Sequence, residues 1–328
     1  MSEWEAAMMK TLLSVLTVAL LLSSTPHLSA QSYPNQPISL VIPLAPGDAG
    51  DVAGRAMAED LSKLLKVSVA TLNKPGGGLT IGTDAVVKAK KDGYTILLTS
   101  NTALIAGRIL NPETVSYDSF KDLTPLGLAT RTPVMFAVRS DAPYARFQDL
   151  VDFAKKNSGK IRVGTAGVGT AGHFALELIN SLTGANMTMV PFKGASPAAT
   201  ALLGGHLEAA ILAIGTLSGH LQSGQIRGLV ASSKSPPFPD VPVLTQLGYR
   251  QNVHGVWYAF FAPAGVSKEV TAALVPAIEK AVKDPGIVAK LAPLGMVQDY
   301  ASPEKLVTEM REEYQSVEEI AKKAGLVK

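Results

Sequence analysis

Short apolar runs alternate with longer amphipathic segments along most of this 328-residue chain. The runs at 38–44, 67–73 and 94–100 are rich in Val, Ile, Leu and Thr, which is the composition of buried strands. The segments between them carry apolar residues at helical spacing. Near-continuous apolar strands separated by helices predict an α/β fold in which helices cover a parallel sheet on both faces.

The same alternation starts again after about residue 131, and a helical tail follows from residue 270. Two α/β units in one chain predict two lobes with a ligand-binding cleft between them, because domain interfaces are preferred positions for pockets. The predicted first lobe comprises residues 31–130 and 256–328, and the predicted second lobe comprises residues 131–255.

Residues 1–30 have the pattern of a cleaved signal peptide. Lys10 precedes the apolar run 11–22, and small residues end the segment at Ser29 and Ala30. A run of this length is too short to cross a bilayer, which takes about 20 residues, so we expect cleavage and a periplasmic mature protein. The alternative is a buried N-terminal helix. The chain has no cysteine, which excludes thiolate metal sites and a lipid-attached N-terminal cysteine.

Charge and motifs give little sign of catalysis or of nucleic-acid binding. The formal net charge of +3 is not concentrated in a basic, aromatic-rich run, so nucleic acid is not an expected partner. No GxSxG, Walker loop or HExxH occurs. His173 and Glu177 would share one helical face, but no third metal-ligand candidate lies nearby, which favours a surface contact over a metal site. We predict no cofactor.

The first candidate ligand-binding turn joins a strand to a helix at residues 46–51. Glycine lets backbone approach a ligand closely, and the first N–H groups of a helix favour an anion. Asp51 is a candidate N-cap, whereas the carboxylate of Asp48 would repel an anion unless it points away. A capped turn without a ligand is the alternative. The turn comprises Pro46, Gly47, Asp48, Ala49, Gly50 and Asp51.

The second candidate turn, residues 165–173, contains a GxGxxG between a strand and a helix. A dinucleotide fingerprint also needs an acidic residue about twenty positions later. Here the next strand ends at Lys193 with no acid, so a small polar ligand at the helix start is favoured over a nucleotide. Two further turns carry Asn101 with Thr102, and Lys193 with Ser196. Lys193 could attract a carboxylate, and a solvated lysine is the alternative.

These loops together resemble the periplasmic substrate-binding receptors of tripartite tricarboxylate transporters, the Bug receptor family. The resemblance covers the whole mature chain; its marks include YPNQPISLVIPLAPGDAGDVAGR (33–55), NKPGGGLTIGTDAV (73–86), GTAGVGTAGHFALEL (164–178), VPFKGASPAATALLGGHLEAAI (190–211) and WYAFFAPAGVSKEV (257–270). It implies a Venus-flytrap fold whose lobes are joined by two crossing strands, near 128–138 and 253–262. It also implies that turns 46–51 and 167–173 grip a carboxylate, partly through waters, and that closure presents the receptor to a membrane permease.

The sequence departs from the family pattern in the turns that would hold the ligand. Asp48 stands where a second glycine is usual, Ala171 and Gly172 replace a pair that often carries hydroxyls, and Leu212 stands where amino-acid receptors often have Asp. Leu212 with Trp257 would suit an apolar or aromatic body. We therefore predict a monomeric, non-enzymatic receptor for a dicarboxylate or an aromatic or longer-chain carboxylate. A neutral or cationic solute is the alternative, and a nucleotide-dependent enzyme is disfavoured. The predicted ligand-binding residues are the six of turn 46–51 together with Asn101, Thr102, Gly167, Val168, Gly169, Thr170, Ala171, Gly172, His173, Lys193, Ser196, Leu212 and Trp257.

Overall fold

The structure, a computed structural model, describes residues 4, 7–9, 11, 33–110, 112–323 and 327. Of the predicted signal peptide, only residues 4, 7–9 and 11 are among them, and the rest of that prediction lies outside the described residues. The described chain forms two β-sheets flanked by helices. No described helix is long and apolar enough to span a bilayer.

The first sheet has six strands in the order β11-β4-β10-β3-β1-β2. The apolar runs of the first half of the chain form its parallel part, in which β1 pairs with both β2 and β3. Strand β10 runs antiparallel to β3 and β4, so the sheet is mixed and not all-parallel as the alternation alone predicted. Its strands are β1 (Ile38–Ile42), β2 (Val69–Asn73), β3 (Thr95–Ser100), β4 (Leu123–Thr132), β10 (Val256–Pro263) and β11 (Val297–Ala301).

The second sheet has five strands in the order β7-β6-β8-β5-β9. Strand β6 is parallel to β7 and β8, and β5 is antiparallel to β8 and β9. Its strands are β5 (Val134–Arg139), β6 (Arg162–Thr165), β7 (Thr188–Pro191), β8 (Ala209–Ala213) and β9 (Ile226–Ala231).

The helices cover the sheets and bury apolar faces against them. Helix α10 packs Leu306, Met310 and Val317 into the core, as the spacing of its apolar residues predicts. The helices are α1 (Ala49–Leu65), α2 (Thr80–Val87), α3 (Gly107–Leu110), α4 (Phe147–Lys156), α5 (Ala171–Thr183), α6 (Ala195–Leu203), α7 (Ile214–Gln222), α8 (Lys268–Val282), α9 (Pro285–Leu291) and α10 (Pro303–Lys323).

The chain passes between the two sheets twice. The first passage is at Pro133, between the end of β4 and the start of β5. Because this link is a single residue, it is too short to contain a crossover helix. The second passage uses residues 232–255, between β9 and β10. We call the six-stranded sheet with its helices lobe I and the five-stranded sheet with its helices lobe II. This is the two-lobed α/β fold expected from the sequence, and the boundaries at 130/131 and 255/256 stay a prediction.

Candidate ligand site between the lobes

A small cavity lies between the lobes, beside the ends of strands β3 and β8 and the beginnings of helices α1, α5 and α6. Its volume is about 40 Å³, which is room for a few water molecules, whereas ligand pockets usually measure about 300–1,000 Å³. The lobes are therefore closed on one another. Its walls are mostly apolar, with side chains such as Leu44, Leu79, Val134, Ile211 and Leu212.

The turn at the start of α1 is built around a buried carboxylate, that of Asp51. Its Oδ2 accepts the Gly47 N–H at 2.9 Å, and its Oδ1 accepts Nδ2 of Asn73 at 2.8 Å. Arg55 Nε lies 2.9 and 3.0 Å from the two carboxylate oxygens. The prediction that Asp51 is the N-cap is wrong, because the helix begins at Ala49 and the N-cap is Asp48. Asp51 instead holds the turn within lobe I, and it does not line the cavity.

The other residues of this turn divide between the cavity wall, packing and the surface. Ala49 lines the cavity, and its N–H donates to Thr216 Oγ1 of lobe II at 3.0 Å. Gly50 packs against strand β10, since an added Cβ would be 2.5 Å from Cε1 of Tyr258. Pro46 and Gly47 are exposed and do not line the cavity.

Asp48 points across the cleft to lobe II. Its Oδ1 accepts the Ser196 N–H and the Ser196 hydroxyl, both at 2.6 Å, and its Oδ2 accepts the Ala195 N–H at 3.0 Å. The side chain is almost fully buried. Burial raises the pKa of the Asp48 carboxyl, and the hydrogen bonds from Ser196 and Ala195 act in the opposite direction. Ser196, a predicted ligand contact, is therefore the partner of Asp48 in this closed arrangement.

The turn before α5 is held by hydrogen bonds of the Thr170 and His173 side chains. Thr170 is the N-cap; its Oγ1 accepts the His173 N–H at 3.4 Å and donates to the Gly167 carbonyl at 2.8 Å. His173 Nδ1 accepts the Gly169 N–H at 3.1 Å, which requires an imidazole unprotonated at that nitrogen. Burial lowers the pKa of His173, which favours this neutral form. His173 Nε2 lies 3.8 Å from Glu177 Oε1, as their spacing predicts, and no metal-binding cluster is found among the described residues.

The beginning of α5 contacts lobe I directly. The Ala171 N–H donates to Thr102 Oγ1 at 3.2 Å, and Thr102, Thr170, Ala171 and Gly172 all line the cavity. A Cβ on Gly172 would lie 2.4 Å from the carbonyl oxygen of Ile211, so this glycine of the GxGxxG lets α5 approach strand β8. Gly167, Val168 and Gly169 lie outside the cavity lining.

Asn101 and Trp257 lie away from this cavity, although the sequence predicted both as ligand contacts. Asn101 Nδ2 donates to the Gly255 carbonyl at 2.9 Å and to Glu313 Oε1 at 2.7 Å. Trp257 Nε1 donates to Glu313 Oε2 at 2.6 Å. Both side chains are thus bound to helix α10 within lobe I. Trp257 lines a separate cavity of about 340 Å³ beside the passage between the lobes, together with Arg131.

Two of the remaining predicted residues have clear positions. Leu212 is buried and forms part of the cavity wall, and its contact with the ligand stays a prediction. Lys193 is exposed and lies outside the lining of this cavity. Among the described side chains that line this cavity, that of Asp48 is the only charged one.

Ser100, Thr216 and Tyr258 line the cavity but were not singled out from the sequence. Ser100 is 1% exposed, and its Oγ has no hydrogen-bond partner within the part of the chain that the structure describes. Ser100 ends strand β3, and ligands of α/β sheets lie beyond the carboxyl ends of strands. Its place at the strand end, directly before Asn101, could therefore have identified Ser100 as a site residue from the sequence. Tyr258 is fully buried, and burial together with the charge of Asp48 raises the pKa of its hydroxyl.

Comparisons with known proteins find a family model and relatives that match most of the chain. Residues 53–326 match the tripartite tricarboxylate transporter family receptor. The chain is 32% identical to the protein BugT of Bordetella pertussis over 279 residues, covering 84% of this chain and 86% of BugT. Its fold is similar to that of the periplasmic binding protein BugD, with a TM-score of 0.85 and 30% identity, covering 90% of this chain and 99% of BugD.

A second solved structure, that of MatC from Rhodopseudomonas palustris with bound malate, is similar to this chain with a TM-score of 0.84 and 26% identity, covering 88% of this chain and 99% of MatC. A family match over most of the chain and a solved fold shared along almost its full length lead to the same assignment. The chain belongs to the family of tripartite tricarboxylate transporter receptors, which are periplasmic solute-binding proteins and not enzymes.

Proposed function

We propose that this receptor captures a small organic acid between its two lobes and delivers it to the membrane permease of a tripartite tricarboxylate-type transporter. One observation carries the proposal. The inter-lobe cavity lies where helices α1, α5 and α6 begin, and the same space is lined by the Ser100 hydroxyl, which has no hydrogen-bond partner in the described part of the chain. Helix N-termini and a free hydroxyl supply the donors that a carboxylate needs. The malate-bound MatC supports an acid as the ligand class.

The contacts between the lobes suggest how capture works. Ala49 N–H binds Thr216 and Ala171 N–H binds Thr102, so each lobe now satisfies backbone donors of the other. When the lobes separate, these donors become free for an incoming carboxylate. The solute then replaces part of the direct contact between the lobes, and the mostly apolar wall packs on its carbon skeleton. A non-amino acid fits this wall, because Leu212 offers no charge to an ammonium group and the carboxylate of Asp48 is already bound by Ala195 and Ser196.

Thermal melting against a panel of mono- and dicarboxylates, aromatic acids, amino acids, amines and neutral compounds tests the proposal. A ligand that binds only the folded protein stabilises it by about 2.7 kcal/mol at a hundredfold excess over Kd. We expect members of one acid class to raise the melting temperature by several degrees. If no acid does so at millimolar concentration, the proposal is wrong.

A neutral or cationic solute is the second candidate, because the carboxylate of Asp48 is the only charged group that described side chains bring to the cavity. An ammonium or hydroxyl group of such a solute would pair with Asp48. Stabilisation by amines or neutral compounds alone in the same panel would select it. For either solute we propose a periplasmic monomer that is exported by a cleaved signal peptide.

A further inference from the structure

The beginning of helix α6 binds a carboxylate of the chain itself, that of Asp48. Three donors converge on Asp48, namely the N–H groups of Ala195 and Ser196 and the Ser196 hydroxyl, at 2.6–3.0 Å. Gly194 precedes them with φ +132°, and an added Cβ there would lie 3.0 Å from Asp48 Oδ2 and 2.7 Å from Ala45 Cβ. Glycine at this position therefore leaves the space that the carboxylate of the other lobe occupies.

Asp48 occupies the donors at the beginning of α6, so a ligand carboxylate must bind to other donors at the cavity. Ser100 Oγ is 1% exposed and has no partner among the described residues, and the Ala171 N–H reaches only the hydroxyl of Thr102. Among the described residues, no lysine, arginine or histidine side chain lines the cavity. A second ligand carboxylate would therefore be buried beside Asp48 without a positive partner, which is unfavourable for both charges.

We propose that Asp48 determines specificity by taking the place of a second ligand carboxylate, so that this receptor selects acids with one carboxylate and an apolar remainder. The inference rests on the proposed function and narrows its ligand class. The single ligand carboxylate binds at Ser100 and the beginning of α5, and the carbon skeleton packs on Leu79 and Leu212. The N-terminus of α6 stays occupied by Asp48 while the ligand is bound.

Calorimetric titration with matched acids tests this assignment. The pairs are hexanoate with adipate and benzoate with terephthalate, which differ only in the second carboxylate. We expect the wild-type protein to bind at least one monocarboxylate ten or more times more tightly than its dicarboxylate partner. Asp48→Gly, which empties the site at α6, should shift that ratio by at least tenfold towards the dicarboxylate.

Two further variants keep the test decisive. Asp48→Asn keeps the volume of the side chain without its charge, so it should shift the ratio of monocarboxylate to dicarboxylate affinity in the same direction as Asp48→Gly, but by a smaller factor. If Asp48→Gly does not fold, Asp48→Asn still tests the role of the charge. Asp240→Asn removes one negative charge from an exposed position of lobe II and should leave the ratio unchanged.

The outcomes separate the two proposals. Equal affinity of the wild-type protein for both members of each pair, or an unchanged ratio in both Asp48 variants, overturns the role of Asp48 and leaves an acid receptor standing. The absence of binding by all four acids to the wild-type protein and to both variants overturns the specificity proposal too, and the wider melting panel then decides whether any acid is the ligand.

Discussion

Replacing Thr170 by valine should weaken ligand binding as well as the fold, because its hydroxyl holds the turn that begins α5. The hydroxyl accepts the His173 N–H at 3.4 Å and donates to the Gly167 carbonyl at 2.8 Å, and valine can do neither. Loss of an N-cap costs about 1 kcal/mol of stability. An unfolding entropy of about 2.1 cal/mol/K per residue converts that cost to a fall of about 1.5 °C in Tm for a chain of this length.

The effect on affinity comes from the backbone that Thr170 positions. The Ala171 N–H lies next to the cap and is a proposed ligand donor, so a loosened turn must be ordered again when the acid binds. A cost of about 1.4 kcal/mol would raise Kd about tenfold. Melting curves measure the fall in Tm, and calorimetric titration with the best-binding acid of the panel measures the rise in Kd.

Ser267→Ala is the matched control. Ser267 caps α8 of lobe I, and its Oγ accepts the Val270 N–H at 3.4 Å, the same distance as in the Thr170 cap. It is exposed and remote from the cavity lining, so it should lower Tm by a similar or smaller amount and leave Kd unchanged. An unchanged Kd in Thr170→Val, or equal losses of affinity in both variants, would refute the placement of the ligand at the beginning of α5.

Three other side chains give separate expectations. Burial lowers the pKa of His173, so the unfolded chain binds a proton at a higher pH than the folded chain does. The free energy of unfolding should therefore fall as the pH drops below about 6.5. His173→Gln should reduce this dependence of Tm on pH in melting curves recorded from pH 8 to pH 5. Ser100→Ala should not lower Tm, since the buried hydroxyl has no partner among the described residues, but it should raise the Kd of the acid about tenfold through loss of a hydrogen bond to a charged group. Asn101→Leu should destabilise the fold by about 2–3 kcal/mol in urea unfolding, because Glu313 and the Gly255 carbonyl lose a donor, with a smaller effect on Kd than that of Thr170→Val.

The strands and helices of the fold could be predicted from the sequence because they depend on local pattern. Buried apolar strands alternate with amphipathic helices, and the resulting elements appear near the predicted positions. The antiparallel pairing of β10 with β3 and β4 could not be predicted in this way. It depends on a strand that returns to lobe I after the whole of lobe II, and apolar periodicity carries no information on strand direction.

The turns at the site were predictable, whereas the directions of their side chains were not. Glycines and capping residues mark the beginnings of α1 and α5, and Ala49, Thr170 and Leu212 do line the cavity. Asn101 was expected to face the ligand but is bound by Glu313, 212 positions away in the chain. Asp48 and its partner Ser196 are separated by 148 positions. Contacts at such separations arise from the packing of the lobes, which no local motif encodes.

A crystal structure of the protein grown with the acid that raises its melting temperature most would test the account directly. We predict one acid molecule between the lobes, with its carboxylate within hydrogen-bond distance of Ser100 Oγ and of the first N–H groups of α5, and with Asp48 still bound to Ser196. An acid bound elsewhere, such as in the cavity beside Trp257 and Arg131, would contradict the central claim.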